Sequence, residues 1–278
     1  MAFDVPVYIR RQLAQLHTIG GLLALRLTAV AHRLPGFDRI LRRWYPPEVR
    51  LRHEFNRWAG KGLGANMERD HLHFTQRVLD KMNLSAHDRV LDLACGEGWA
   101  CRLIAERLGG SGGVVGLDVS DEMVRLAGAK SAQFGQITYV CGSADHIPCP
   151  SGYFSKVLSV ASFIVFENQE QVLDELFRVL APGGQLFILT YLYKDRPDWS
   201  TLARDIAWES RTGMSLHVYS ATEYTSMLKA GAWVDIHTEE SLANGKEQLS
   251  PADNDHDRAL LISARTPIVQ GNNSVLHH

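Results

Sequence analysis

Val90-Leu91-Asp92-Leu93-Ala94-Cys95-Gly96-Glu97-Gly98 is an apolar run carrying one carboxylate that meets a glycine turn, with a helix-compatible stretch after it. Gly96 and Gly98 let such a turn take backbone angles barred to other residues and let a ligand approach the main chain. Asp92, inside an otherwise apolar strand, is costly to bury unless something cationic or hydrogen-bonding meets it. Strand, glycine turn and helix in that order read as a nucleotide-cofactor site.

Two other readings compete. A dinucleotide fingerprint needs three glycines spaced G-x-G-x-x-G, and Cys101 stands where the third belongs. A strand, turn and helix without any ligand is the bland alternative. The downstream sequence favours the cofactor reading. Gly113-Val114-Val115-Gly116-Leu117-Asp118 is a second apolar run, ending in an acid about twenty residues past the turn, where a ribose diol requires a carboxylate acceptor. Ser120 is suited to cap the next helix, with Asp121 and Glu122 complementing its positive end.

The first stretch resembles, nearly letter for letter, the opening motif of class I S-adenosylmethionine-dependent methyltransferases, in the small-molecule group that includes ubiquinone and menaquinone methyltransferases. The resemblance is good over residues 85–190 and looser to about residue 265. It implies that Asp92 helps hold the methionine end of the cofactor, that Ala94, Gly96 and Gly98 line it, and that Val119 and Met123 pack on its adenine. After a third strand, Ile137–Cys141, it implies that Ala144 and Asp145 meet the adenine amino group, although an acid there also reads as a plain turn residue. Ser159, ending the strand Lys156–Val160, is implied near the methionine portion. Phe154-Ser155 departs from the family's usual Phe-Asp before that strand. Val172, Leu173, Leu176, Val179 and Leu180 have helical spacing, Pro182-Gly183-Gly184 ends the helix, and an apolar strand follows, as in related small-molecule methyltransferases.

The predicted fold is an α/β three-layer sandwich around a Rossmann-like, mostly parallel seven-stranded sheet, with an N-terminal helical extension. With 278 residues, 45% of them hydrophobic, the chain can bury a large core in one or two domains. A net charge of -2 and the lack of a basic stripe with interleaved aromatics speak against a nucleic-acid partner. The four cysteines, Cys95, Cys101, Cys141 and Cys149, show no C-x-x-C spacing, so buried reduced thiols are expected, ahead of a soft-metal cluster. The twelve histidines form no zinc-ligand pattern, and no metal is expected.

Residues 1–57 differ in character, with ten arginines against four acids. Leu13, Leu16, Leu23, Leu27, Val30 and Leu34 recur at helical spacing, which implies one or two amphipathic helices. They read as a cover over the core, as a membrane-surface contact, or as a targeting segment or homodimer contact. Arg26 and His17 interrupt any secretory signal core, and the apolar run is too short to span a bilayer. The cofactor implied by the resemblance favours the cytoplasm, with peripheral attachment at a membrane surface as the alternative.

Residues 58–84 read as a glycine-bearing lid with Trp58, Met67 and His71 as candidates to meet substrate. The core spans 85–266, with a substrate insertion at 191–219 carrying Tyr191, Tyr193, Trp199, Trp208, Met214, His217 and Tyr219, and a loose tail at 267–278. Tyr191, Tyr193 and Tyr219 join Trp58 and Met67 as substrate-binding candidates, although packing alone explains most such residues. Ser220-Ala221-Thr222-Glu223 is a capping box opening a helix that ends near Gly231, and 233–238 and 259–264 read as the last strands. The expected reaction is in-line transfer of a methyl group from S-adenosylmethionine to a small-molecule acceptor, leaving S-adenosylhomocysteine. Where the acceptor carries a proton, His217 and His71 are the candidate bases; for His71, a core or helix-surface role competes. The rivals are a lipid, isoprenoid or quinone methyltransferase at a membrane surface, a cyclase or decarboxylase that keeps the cofactor, and a binding protein without chemistry.

Overall fold

The computed structural model describes residues 45–109, 111–192, 199–242 and 258–268. Seven strands form one sheet in the order β3-β2-β1-β4-β5-β7-β6. They are β1 (Arg89–Leu93), β2 (Gly113–Asp118), β3 (Ile137–Cys141), β4 (Phe154–Val160), β5 (Leu180–Tyr191), β6 (Val234–Leu242) and β7 (Arg258–Arg265). Parallel pairing joins β3 to β2, β2 to β1, β1 to β4 and β4 to β5. β7 runs antiparallel between β5 and β6. The expected mostly parallel seven-stranded sheet is therefore present.

The period-two alternation of β1 sends Val90 to one face and Leu91 and Leu93 to the other. On the first face, Val90, Val114, Leu158, Phe187 and Leu189 are buried under α2 (Gly64–Met82) and α3 (Trp99–Leu108). On the second, Leu91, Leu93, Val157 and Ile188 are covered by α5 (Gln169–Val179) and α7 (Ala221–Ala230). These are the three layers read from the sequence. The chain reverses direction across the sheet between β1 and β4, and in open α/β sheets the crevice beyond the carboxyl ends of the strands at such a switch point is where ligands bind.

Local chemistry sets the helix ends. Ser120 opens α4 (Asp121–Lys130), its side chain accepting from the Met123 N–H at 3.0 Å. The Ser220–Glu223 capping box opens α7. α5 stops earlier than the Pro182 signal suggests. Leu180 is already in β5, because its apolar side chain is buried in the sheet's core and pairs with Phe154. The cover is also more ordered than its glycines imply. α1 (Pro47–Gly60) crosses the expected boundary at residue 57, a short break around Gly62 follows, and α2 continues. The insertion 191–219 carries a helix, α6 (Trp199–Thr212). The amphipathic pattern of residues 9–34, Tyr193 and the tail from residue 269 lie outside the described residues.

Candidate functional site

The turn after β1 is pinned to β2 by main-chain bonds. Cys95 N–H donates to Leu117 O at 3.0 Å, and Gly98 N–H closes the turn on Cys95 O at 2.9 Å. Gly98 has φ 74° and opens α3, and a Cβ there would stand 2.2 Å from the Tyr139 hydroxyl. Glycine is thus required twice over, by angle and by space. Gly96 N–H donates to Asp118 Oδ2 at 2.8 Å, and Ser120 N–H donates to Oδ1 at 2.9 Å. A third main-chain bond, from Val119, also reaches this carboxylate. Burial raises the Asp118 pKa to about 6 against those donors. A carboxylate has about four acceptor positions, so three N–H groups leave room for a ribose hydroxyl.

These groups border a cavity of about 350 Å³ above the carboxyl ends of β1, β2 and β4. Ala94, Gly96, Glu97, Asp118, Val119 and Met123 line it from the β1 and β2 ends, Ala144 and Asp145 from the β3 end, and Val160 and Ser162 from the β4 end. Leu51, Phe55 and Trp58 of α1 and Met67 and His71 of α2 close it from above. The site residues Ala94, Gly96, Asp118, Val119, Met123, Ala144 and Asp145, expected from sequence, are thereby brought together, with Trp58, Met67 and His71 opposite them.

Six of the expected site residues stand outside the cavity lining. Asp92 is 2% exposed and does not line the cavity; it lies beneath the turn, where Cys101 Sγ donates to its Oδ2 at 3.0 Å. Its hydrogen-bond partner is this thiol below the turn, and burial raises its pKa to about 7. The room comes from Gly116, across from Asp92 in β2, where a Cβ would meet the Tyr139 ring at 2.7 Å and Cys101 Sγ at 2.8 Å. Ser159 is fully buried and donates to Leu93 O at 3.3 Å; it also bonds Ser162, which takes its place on the cavity wall. His217 is outside the cavity lining: its N–H bonds Ile164 O and its carbonyl accepts from buried Gln169. Tyr219 likewise packs edge-on against Tyr224 at 5.8 Å, Tyr191 bonds His71 from the end of β5, and neither lines the cavity. Gly98, too, acts as a backbone hinge for the turn and does not line the cavity.

The sequence reading missed the fastening of the cover. Arg52 Nε donates to Val119 O at 3.0 Å, Ser120 Oγ donates to Asn56 Oδ1 at 2.5 Å, and Asn56 Nδ2 donates to Asp121 at 2.8 Å. α1 is thus fixed across the loop that follows Asp118. Glu54, 4% exposed, accepts from Arg57, Arg211 and the Trp58 indole, which orients Trp58 in the cavity wall. The charges on both sides hold its carboxyl below the usual range despite burial. At the start of α2, Gly64 presses on buried Glu97, where a Cβ would come within 2.3 Å of the carboxylate, and Lys130 pairs with Glu97 from below. Only Glu97, placed between two glycines, carried a signal in the sequence; the partners of Asn56 and Glu54 are set by tertiary packing.

His71 is 7% exposed. Its Nδ1 lies 2.7 Å from Met67 O, and Tyr191 Oη bonds its Nε2. Burial lowers its pKa and favours the neutral ring. A carbonyl accepts only, so Nδ1 carries the proton, Nε2 is the acceptor and Tyr191 donates. The four cysteines are free, with Cys95, Cys101 and Cys149 buried, and among the described residues no group of three metal-binding side chains gathers.

The sheet order, the β1 turn and the acid at the end of β2 together make a Rossmann-like α/β architecture with a crevice at its switch point. Residues 90–184 match the model of the methyltransferase domain family. The chain is 36% identical over 121 residues to a demethylmenaquinone methyltransferase of Thermus thermophilus, a match covering 43% of this chain and 54% of that protein. It thus spans about half the length of the curated relatives it matches. Among solved structures, it resembles the putative methyltransferase complexed with the Trm112 activator of Haloferax volcanii, with TM-score 0.62 and 24% identity over 77% of this chain and 98% of that one. It also resembles a phosphoethanolamine N-methyltransferase of Haemonchus contortus in complex with S-adenosylhomocysteine, with TM-score 0.60 and 16% identity over 70% of this chain and 52% of that one. These structural likenesses establish the fold.

Proposed function

We propose that this chain is an S-adenosylmethionine-dependent methyltransferase of a small-molecule acceptor. The observation that carries the reading is Asp118, clamped by the Gly96 and Ser120 N–H groups at the wall of a covered cavity. Held by main-chain donors, that carboxylate offers a ribose diol an acceptor of fixed orientation. Val119, Met123 and Leu51 present apolar surface to an adenine, Asp145 stands at the same end, and Gly96 and Glu97 border the opposite end, where the methionine portion belongs.

S-adenosylmethionine supplies an activated sulfonium methyl group. The chain's own residues bind, orient and exclude water, and positioning supplies much of the rate. Trp58, Met67, His71 and Val160, which also line the cavity, are the residues assigned to the acceptor. The likeness to a demethylmenaquinone methyltransferase makes a 1,4-naphthohydroquinone the first acceptor to try. Reaction in the cytoplasm, where the cofactor is made, follows from this reading. Peripheral membrane contact rests on the charge of residues 1–57, and equal liposome co-sedimentation with and without those residues would remove it.

The test is transfer of a radiolabelled methyl group from S-adenosylmethionine to a panel of hydroxyaromatic, amine and carboxylate acceptors, with Asp118→Ala as control. Label in any organic product, lost in the variant, supports the reading. Absence of label across the panel together with no binding of S-adenosylhomocysteine removes it.

A further inference from the structure

We infer that the insertion 191–219 shapes the acceptor side of the cavity from behind, with Arg211 of α6 as a positioning residue that acts through Glu54 on Trp58. The inference rests on the methyltransferase reading above and goes beyond it, to the residues that hold the acceptor side in shape. Among the described residues, none of 191–219 lines the cavity, although the sequence places the substrate insertion there. Whatever α6 contributes to an acceptor therefore passes through the residues in front of it, and those belong to α1.

Helical spacing divides α1 into three stripes, and each meets a different neighbour. Leu51, Phe55 and Trp58 line the cavity. Arg52 and Asn56 hold the loop after Asp118. Arg50 and Glu54 reach the end of α6, where Arg50 Nη1 donates to Gly213 O at 2.6 Å and Arg211 Nε donates to Glu54 Oε1 at 3.3 Å. The same Glu54 oxygen accepts the Trp58 indole N–H at 3.1 Å. One carboxylate oxygen thus joins a helix that does not reach the cavity to a ring that lines it. Burial opposes a charge at Glu54, yet hydrogen bonds from Arg57 and Trp58 and the nearby Arg211 guanidinium hold its carboxyl below the usual range.

Packing repeats the link. Phe55 touches two indoles, its ring centre 6.2 Å from that of Trp208 and 5.5 Å from that of Trp58. Trp208 and Arg211 are three residues apart on α6, so one face of that helix delivers both the ring and the charge. Trp208 Nε1 has no hydrogen-bond partner among the described residues, so its ring alone makes this contact. Glu54 is not on the cavity lining, so its bond to Trp58 turns the polar edge of the indole away from the cavity and leaves the apolar ring to the acceptor. Rotating that ring would break a hydrogen bond to a buried carboxylate, which water cannot readily replace.

The test uses the full chain with S-adenosylhomocysteine bound and its tryptophans labelled with nitrogen-15, the Trp58 indole signal being assigned by its loss in Trp58→Phe. The Arg211 side chain is 40% exposed, so Arg211→Gln removes the charge without opening the core. In that variant the Trp58 N–H is expected to leave the position of a carboxylate-bonded donor and to exchange with solvent about 3–10-fold faster. The indoles other than Trp58 and Trp208, and the affinity for S-adenosylhomocysteine, should stay as in the wild type. Arg211→Lys, which keeps the charge, should retain the wild-type signal. With 1,4-naphthohydroquinone as acceptor, or another member of the panel that takes the label, Arg211→Gln should raise the acceptor KM by about 3–10-fold and leave the KM for S-adenosylmethionine level. A Trp58 signal identical in wild type and Arg211→Gln, an equal shift in Arg211→Lys, or a rise in the KM for S-adenosylmethionine alone would each overturn the inference. Failure of the wild-type chain to bind S-adenosylhomocysteine would instead remove the reading beneath it.

Discussion

The two walls of the cavity are built by different means. The floor, at the ends of β1 and β2, is held by main-chain hydrogen bonds from Gly96, Ser120 and Cys95, and its shape is dictated by backbone angles. The roof, α1 and α2, is held by side chains, with Asn56, Arg52 and Glu54 as its fastenings. A floor of that kind is preorganised and loses little on binding, whereas a roof fastened by a few side-chain bonds can open and reclose. The difference teaches that the floor should fail through folding and the roof through ligand kinetics.

The strongest way to break this contrast is Gly98→Ala, which meets both a left-handed φ and the Tyr139 hydroxyl. Strain and overpacking together should cost about 2–6 kcal/mol, read as a fall in Tm, while a tolerant floor would show none. Acid titration follows in size. Burial holds the Asp118 pKa at about 6, and hydroxyl donors prefer the charged form. Affinity for S-adenosylhomocysteine should therefore be level above neutrality and weaken by up to about tenfold per pH unit below the Asp118 pKa, measured by calorimetry across that range.

Roof variants should act differently. Asn56→Ala removes the bonds to Ser120 and Asp121, and should speed release of S-adenosylhomocysteine by about 3–10-fold in stopped-flow, with Tm nearly unchanged. A variant that instead unfolds the protein would make the roof part of the core. Asp92 gives a separate, pH-dependent test of the floor. Its folded pKa is raised to about 7, so between about pH 4 and 7 the folded chain keeps a proton that the unfolded chain has released. Stability from this group therefore falls as pH rises through that window. Asp92→Asn should show a shallower decline than the wild type in denaturant titrations at several pH values, and identical slopes would contradict the buried carboxyl.

The same contrast explains what was legible in the sequence. The floor is local: Gly96, Gly98, Asp118 and Ser120 occupy one strand–turn–helix unit and the end of the next strand, so spacing alone located them. Asp92 and Ser159 were misplaced because a strand position next to a binding turn does not disclose which way the side chain points. The alternation of β1 and the thiol of Cys101 decided it for Asp92. His217 and Tyr219 have residue types suited to a site, but main-chain and ring packing hold them away from the cavity. His71 is singled out by its place in the glycine-bearing cover, but its hydrogen bond to Tyr191, on a distant strand, leaves no signal in the sequence.

The most direct test of the central claim is calorimetric titration of the full chain with S-adenosylhomocysteine, beside Asp118→Asn, which keeps the size of the side chain and removes its charge. One binding site per chain with micromolar affinity is expected, weakened about 10–100-fold in the variant by loss of charge-assisted hydrogen bonds. Equal affinity in the two proteins, or no binding to the wild type, would contradict it.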